Sequence, residues 1–261
     1  MGGKKVNLTT DYKKNGDIEL TESELISRKK DEINQIIPNK IKLKGKTESQ
    51  NKLIRLIKDK EILITSGRPG SGKSFVALAK SIDLLTNRNN KFTKIYLVKS
   101  ITPLKGEELG AFPGEMLEKI NPYMLSYFQN LEKLIPKDRI ESLIVKGYIE
   151  MIPIAILRGT GFDNSIIIVD ETQNISIENF HTILTRIGHD SKMICLGDTN
   201  QIDLKKKSDS ALSIAMDIFC DIEQIGTFKM SDEDANIRNP LIDIIENVFE
   251  NYNKKQSNNY R

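Results

Sequence analysis

Six short apolar runs punctuate the chain: EILITS (61–66), KIYLVKS (94–100), YIEMIPI (148–154), SIIIVD (165–170), KMICLGD (192–198) and IGTFKM (225–230). They are rich in Ile and Val and show little apolar–polar alternation. That is the pattern of strands covered on both faces, as in a parallel sheet. Helical periodicity lies between them. After Lys73, the residues Phe75, Val76, Ala79, Ile82 and Leu85 recur at three- and four-residue spacing. Ser176 is placed to cap a helix whose stripe is Phe180, Ile183, Leu184 and Ile187. Asn239-Pro240 offers a cap and a first-turn proline before Leu241, Ile244, Ile245 and Val248. Strands alternating with helices predict a doubly wound α/β fold, mostly parallel, with helices on both faces.

Before the first run the chain is polar. Residues 23–37 partly follow helical spacing through Leu25, Ile26, Ile33, Ile36 and Ile37, and read as a peripheral element. The expected organisation is a polar extension over 1–40, one α/β domain over 41–250 and a frayed Asn/Lys-rich tail over 251–261.

The stretch SGRPGSGKSF (66–75) carries Gly67, Gly72, Lys73 and Ser74 in the pattern G-x-x-x-x-G-K-[ST]. It follows a predicted strand and opens a predicted helix, the context in which this pattern cradles phosphate. Glycines let backbone N–H groups converge on phosphate oxygens, and the helix N-terminus adds positive partial charge. Gly67, Arg68, Pro69, Gly70, Ser71, Gly72, Lys73, Ser74 and Phe75 are therefore the expected nucleotide-binding residues. Lys73 would reach the β- and γ-phosphates, and Ser74 would hold Mg²⁺ through its hydroxyl.

Two further motifs sit at strand ends. SIIIVDETQN (165–174) ends a strand on Asp170-Glu171. Asp170 would serve the Mg²⁺, and Glu171 would polarise an attacking water. MICLGDTNQIDL (193–204) ends a strand on Gly197-Asp198, and the Gln201 amide beyond it would contact the γ-phosphate. Open α/β sheets bind ligands at the carboxyl ends of their strands, where all three motifs fall.

Composition narrows the class. Hydrophobic residues are 38% and charged residues 29%, and no apolar run is long enough to span a bilayer. The N-terminus lacks the apolar core of a secretory signal, so the expected location is cytoplasmic. Two cysteines, Cys195 and Cys220, and two histidines lack zinc-site spacing; both thiols are expected to be buried. The net charge is +3, but residues 1–60 hold 15 Lys/Arg against 9 Asp/Glu, while the remainder holds 24 against 27. A basic N-terminal quarter suits either nucleic acid or a solvated surface.

The order Walker A, VDETQN, GDTNQID resembles the first motor domain of superfamily 1 helicases. Residues 45–250 resemble the PhoH family of ATPases more closely. The similarity is carried by ITPLKGEELGAFPGEMLEKINPYM (101–124), MIPIAILRGTGFDNSIIIVDETQN (151–174), ILTRIGHDSKMICLGDTNQIDL (183–204) and IRNPLI (237–242). The family usually has Ala where Thr172 stands and often His at Asn239. Some relatives carry an N-terminal PIN nuclease domain; residues 1–40 are too short for one, so no nuclease is expected.

The resemblance implies a RecA-like P-loop NTPase that uses ATP and Mg²⁺ and acts on RNA or single-stranded DNA, as a helicase or translocase. With one motor domain, the arginine that stabilises the transferring phosphoryl would come from a neighbouring subunit of a ring, expected to be a hexamer. Arg158, Arg186 and Arg238 are the candidates. Gln50 resembles the glutamine that reads adenine in helicases. Lys99, Ser100, Thr102 and Lys105 would donate to nucleic-acid phosphates. Two other readings stand beside this one. A nucleotide-dependent interaction switch would turn over slowly, and a small-molecule kinase would need an Arg-rich lid that the chain does not show.

Overall fold

The computed structural model describes residues 20–100, 116–154, 161–204 and 206–231, with Gly159 and six helical positions between 241 and 249; of 116–123 and 153 it describes the backbone only. Six parallel strands form one sheet: β1 (Ile62–Ser66), β2 (Lys94–Lys99), β3 (Ile149–Pro153), β4 (Ser165–Asp170), β5 (Lys192–Gly197) and β6 (Ile225–Lys229), in the order β3-β2-β4-β5-β1-β6. Each lies within a residue or two of its predicted run.

The continuous apolar runs follow from burial on both faces. In β4 all six residues are buried. Ile166 and Ile168 face one core cluster while Ile167 and Val169 face the other. Burial of each such side chain contributes about 1.5–3 kcal/mol. The first cluster lies under α1 (Glu22–Ile36), α2 (Glu48–Asp59), α3 (Lys73–Thr86), α4 (Met116–Glu132) and α5 (Lys137–Val145). The second lies under α6 (Ile177–Leu184) and α7 (Ala211–Ile218). α6 starts at its expected cap, with the Ser176 hydroxyl accepting the Asn179 N–H.

The N-terminal helix departs from the expectation of a peripheral element. α1 is closed by a capping box on Thr21 and Glu24, and its Ile33 joins Ile37 in the larger core cluster. Lys30 is 3% exposed; its Nζ donates to Leu85 O at 2.8 Å, Asn90 Oδ1 at 2.9 Å and Leu84 O at 3.4 Å. The ammonium thus caps the C-terminal carbonyls of α3, the helix that begins at the phosphate loop. Periodicity showed the helix, but only its docking shows that the polar lysine is the buried one. Cys195 is buried, as expected; Cys220, just past α7, is exposed.

Candidate active site

Strand register sets the site. β5 lies between β1 and β4, with Ser66 opposite Gly197 and Val169 opposite Cys195. The loop after β1, the Asp170-Glu171 corner after β4 and the turn after Gly197 therefore meet at one edge of the sheet, and Gly67 N–H donates to Gly197 O at 3.1 Å. A cleft of about 480 Å³ opens there, between the phosphate loop and α4.

The loop has the backbone its sequence requires. Gly70 and Gly72 have φ of 78° and 81°, in the left-handed region where an L side chain is strained. Gly72 is also the N-cap of α3, so the helix begins at Lys73. Lys73 folds back on the loop, donating to Gly67 O and, at 2.9 Å, to Arg68 O. Burial lowers its proton affinity, opposed by the negative charges of Asp170, Asp198 and Glu171. Opposite it, the Ser74 hydroxyl donates to Asp170 Oδ2 at 2.9 Å. The Asp170 carboxyl is raised above its usual range by burial first and by Glu171 second. A buried amine and a buried carboxyl, each pushed toward neutrality, suit a site made for an anion beside one and a cation beside the other. A hydroxyl already touching a carboxylate is the oxygen donor set that Mg²⁺ uses.

Glu171 adopts φ 57°, a left-handed conformation that costs a non-glycine residue on the order of 1–3 kcal/mol. Its carboxylate accepts from Gln173 Nε2 at 2.8 Å and lies 4.0 Å from Lys99 Nζ. Gln201 is exposed and lines the cleft, with its backbone N–H on Asp198 O at 3.1 Å.

Of the residues expected from sequence, Gln50, Pro69, Gly70, Gly72, Lys73, Ser74, Phe75, Asp170, Glu171 and Gln201 line the cleft. Gly67, Arg68 and Ser71 shape the loop behind it: the first two supply the carbonyls that hold Lys73, and Ser71 O accepts from Gln50 Nε2 at 2.9 Å. Gln50 is buried, and its Oε1 accepts the Lys46 N–H at 2.8 Å. Its amide braces the loop with one of its two N–H groups and one of its two lone pairs.

Arg186 stands elsewhere. Its carbonyl accepts from Phe162 N–H just before β4, so it lies at the opposite end of the sheet from the cleft of its own chain. Arg158 and Arg238 lie outside the described residues, as do Thr102 and Lys105. Ser100 Oγ donates to Asn174 O, and Lys99 lines the cleft beside Glu171. Lys44, Lys46, Asn130 and Lys133 also line the cleft and went unread in the sequence, as did Gln173, whose only signal was its place beside the acidic pair.

The fold and this edge define a P-loop nucleoside-triphosphatase domain. A profile of the PhoH-like protein family matches residues 42–250, and the chain belongs to the PhoH family. A PhoH-like protein of Bacillus subtilis is 33% identical over 213 residues, 82% of this chain and 65% of its own length. Protein PhoH of Escherichia coli is 28% identical over 193 residues, 73% of this chain and 54% of its own. The chain thus spans less than two thirds of these relatives. Among solved structures, a large terminase from a thermophilic bacteriophage aligns over 72% of this chain and 46% of its own, at TM-score 0.42 and 10% identity. Among the described residues, no helix is long and apolar enough to cross a membrane.

Proposed function

We propose that this chain is a Mg²⁺-dependent ATPase of PhoH type that couples hydrolysis to RNA or single-stranded DNA and works as a ring, a hexamer by the family resemblance. The observation that carries the reading is the meeting of Lys73, the Ser74–Asp170 pair and Glu171 around one cleft. The loop and the N-terminus of α3 bind the phosphates, and Lys73 leaves its two loop carbonyls to neutralise the outer ones. Ser74 and Asp170 would hold Mg²⁺, which supplies charge neutralisation on the phosphates. Glu171 orients and polarises the water, and Gln201 stands at the γ-phosphate end. Gln50 spends its remaining amide hydrogen and lone pair on adenine.

The ring rests on the family resemblance. The described cations lining the cleft are lysines, and the family resemblance has the arginine aimed at the phosphoryl group come from a second copy. Coupling to nucleic acid rests on the family and on the basic N-terminal quarter. The test is an ATPase assay with and without RNA and single-stranded DNA. Glu171→Gln should keep ATP binding and lose about 10²-fold or more in kcat; normal turnover removes Glu171 from this role. A wild-type rate indifferent to both nucleic acids replaces the coupled motor with a nucleotide switch.

A further inference from the structure

Gln173 is 1% exposed and sits in a single turn of 3-10 helix, Thr172–Asn174, that follows Glu171. Both ends of its amide are used: Nε2 donates to Glu171 Oε2 at 2.8 Å, and Oε1 accepts the Asp198 N–H at 3.1 Å. The chemistry admits only this orientation, because a carboxylate can only accept and a backbone N–H can only donate. The approach to β5 is close. A Cβ on Gly197 would lie 2.5 Å from Gln173 Oε1 and 3.2 Å from Gln173 N, so a side chain there would push the Gln173 amide out of place.

Its neighbour repeats the pattern. Asn174 Oδ1 accepts the Asp203 N–H at 2.8 Å, and Asn174 Nδ2 donates to Asp203 Oδ2 at 3.2 Å. The two residues of one turn thus hold the two ends of the segment 198–203, and Gln201 lies between those ends. The same turn starts from Glu171.

We propose that Gln173 is a positioning residue that fixes the Glu171 carboxylate and joins it, through the Thr172–Asn174 turn, to the loop bearing Gln201, so that hydrolysis depends on it and nucleotide binding does not. This rests on the ATPase reading above. With Oε2 held by Gln173, Oε1, which lies 4.0 Å from the Lys99 ammonium, is the oxygen that meets the water. A contact made at Gln201 shifts the Asp198–Asp203 segment and, through Gln173 and Asn174, the carboxylate that polarises the water. Glutamate at φ 57° stands between the strand and the turn, so its aim depends on that amide and on the Lys99 ammonium 4.0 Å away.

The experiment compares wild type, Gln173→Met, Gln173→Glu, Glu171→Gln and the double variant Glu171→Gln/Gln173→Met. It measures steady-state and single-turnover hydrolysis, and affinity for a non-hydrolysable ATP analogue. Methionine keeps the length and removes both hydrogen bonds. Its kcat should fall about 10- to 100-fold, the worth of one bond to a charged group, with analogue affinity within about threefold. In the Glu171→Gln background the same substitution should cost almost nothing more, because the carboxylate it aimed is gone.

Gln173→Glu guards against a misfolded methionine variant. Its protonated form can still donate to Glu171 and accept from Asp198, whereas two facing carboxylates repel. Asp170, Asp198, Lys73 and Lys99 are the other charged groups around them. The Gln173→Glu rate relative to wild type should therefore rise several-fold from pH 8.5 to pH 6. The proposal is overturned by a Gln173→Met kcat within threefold of wild type, by equal losses in affinity and kcat, by losses that multiply in the double variant, or by a flat pH ratio. A wild type without ATPase activity, or an active Glu171→Gln, instead overturns the function and this inference with it.

Discussion

Asp170→Asn separates what the site costs the empty protein from what it does when loaded. Asp170 is 8% exposed; its Oδ2 accepts from Ser74 Oγ at 2.9 Å and its Oδ1 accepts the Glu171 N–H at 3.0 Å. Asparagine keeps Oδ1 for Glu171, and its Nδ2 donates to the Ser74 oxygen in return, so neither bond is lost. The removed charge is desolvated and stands beside Glu171, although it also balances Lys73. The empty variant should therefore be no more than about 1 kcal/mol less stable than wild type.

The pH dependence follows from the raised Asp170 carboxyl, whose ordinary value is 3.8. The folded chain binds that proton more tightly than the unfolded chain, so wild type loses stability as pH climbs through the window above 3.8. Asp170→Asn lacks that loss, and its stability relative to wild type should rise from pH 4 to pH 7. The loaded state behaves in the opposite sense. At a nucleotide concentration of about 100 Kd, wild type gains about 2.7 kcal/mol, a rise in Tm of roughly 5–10 °C for a domain of this size. Asparagine is a poor ligand for Mg²⁺, so the part of the shift that EDTA abolishes should vanish. Thermal melts with ATP, with and without Mg²⁺ and EDTA, read both effects. A variant that melts far below wild type when empty, or that keeps the full Mg²⁺-dependent shift, refutes the reasoning.

Lys30 titrates at about 8 rather than 10.5 because of burial, so between those values the unfolded chain holds more protons and stability rises with pH. Lys30→Met should lose that rise; urea unfolding should show wild type gaining about 1–3 kcal/mol on the variant from pH 7.5 to pH 10, and parallel curves would refute it. Gly72→Ala should cost about 1–2 kcal/mol and most of the nucleotide-dependent Tm shift, because its φ is 81° and the new Cβ would lie 2.6 Å from Gln50 Nε2. Mixed rings of Arg238→Ala and Lys73→Ala subunits should regain some ATPase activity if the arginine acts across the interface; none in confirmed mixed rings counts against Arg238.

Much of the site was legible because its signals are local. A phosphate loop is built by consecutive residues, and its glycines, lysine and serine state their backbone and charge directly. The acidic pair is read from an apolar run that ends on two carboxylates. Gln173 was not legible in this way. Nothing in VDETQN tells which of Thr172, Gln173 and Asn174 turns inward, since that depends on Gly197 approaching from another strand. Arg186 shows the converse: it reads as a candidate finger beside the apolar stripe of its helix, and only the sheet puts it at the far end from the cleft of its own chain.

By itself the sequence determined the strands, the helix after the loop and the cap at Ser176, because runs of Ile and Val and one capping hydroxyl act over a few residues. Tertiary structure alone decided the order β3-β2-β4-β5-β1-β6, which sets β5 between the loop and the acidic pair. It also decided that Lys30 is buried against the end of α3 and that Gln50 braces the phosphate loop. These depend on partners tens of residues away, and a polar side chain is committed to burial only when the groups that satisfy it arrive.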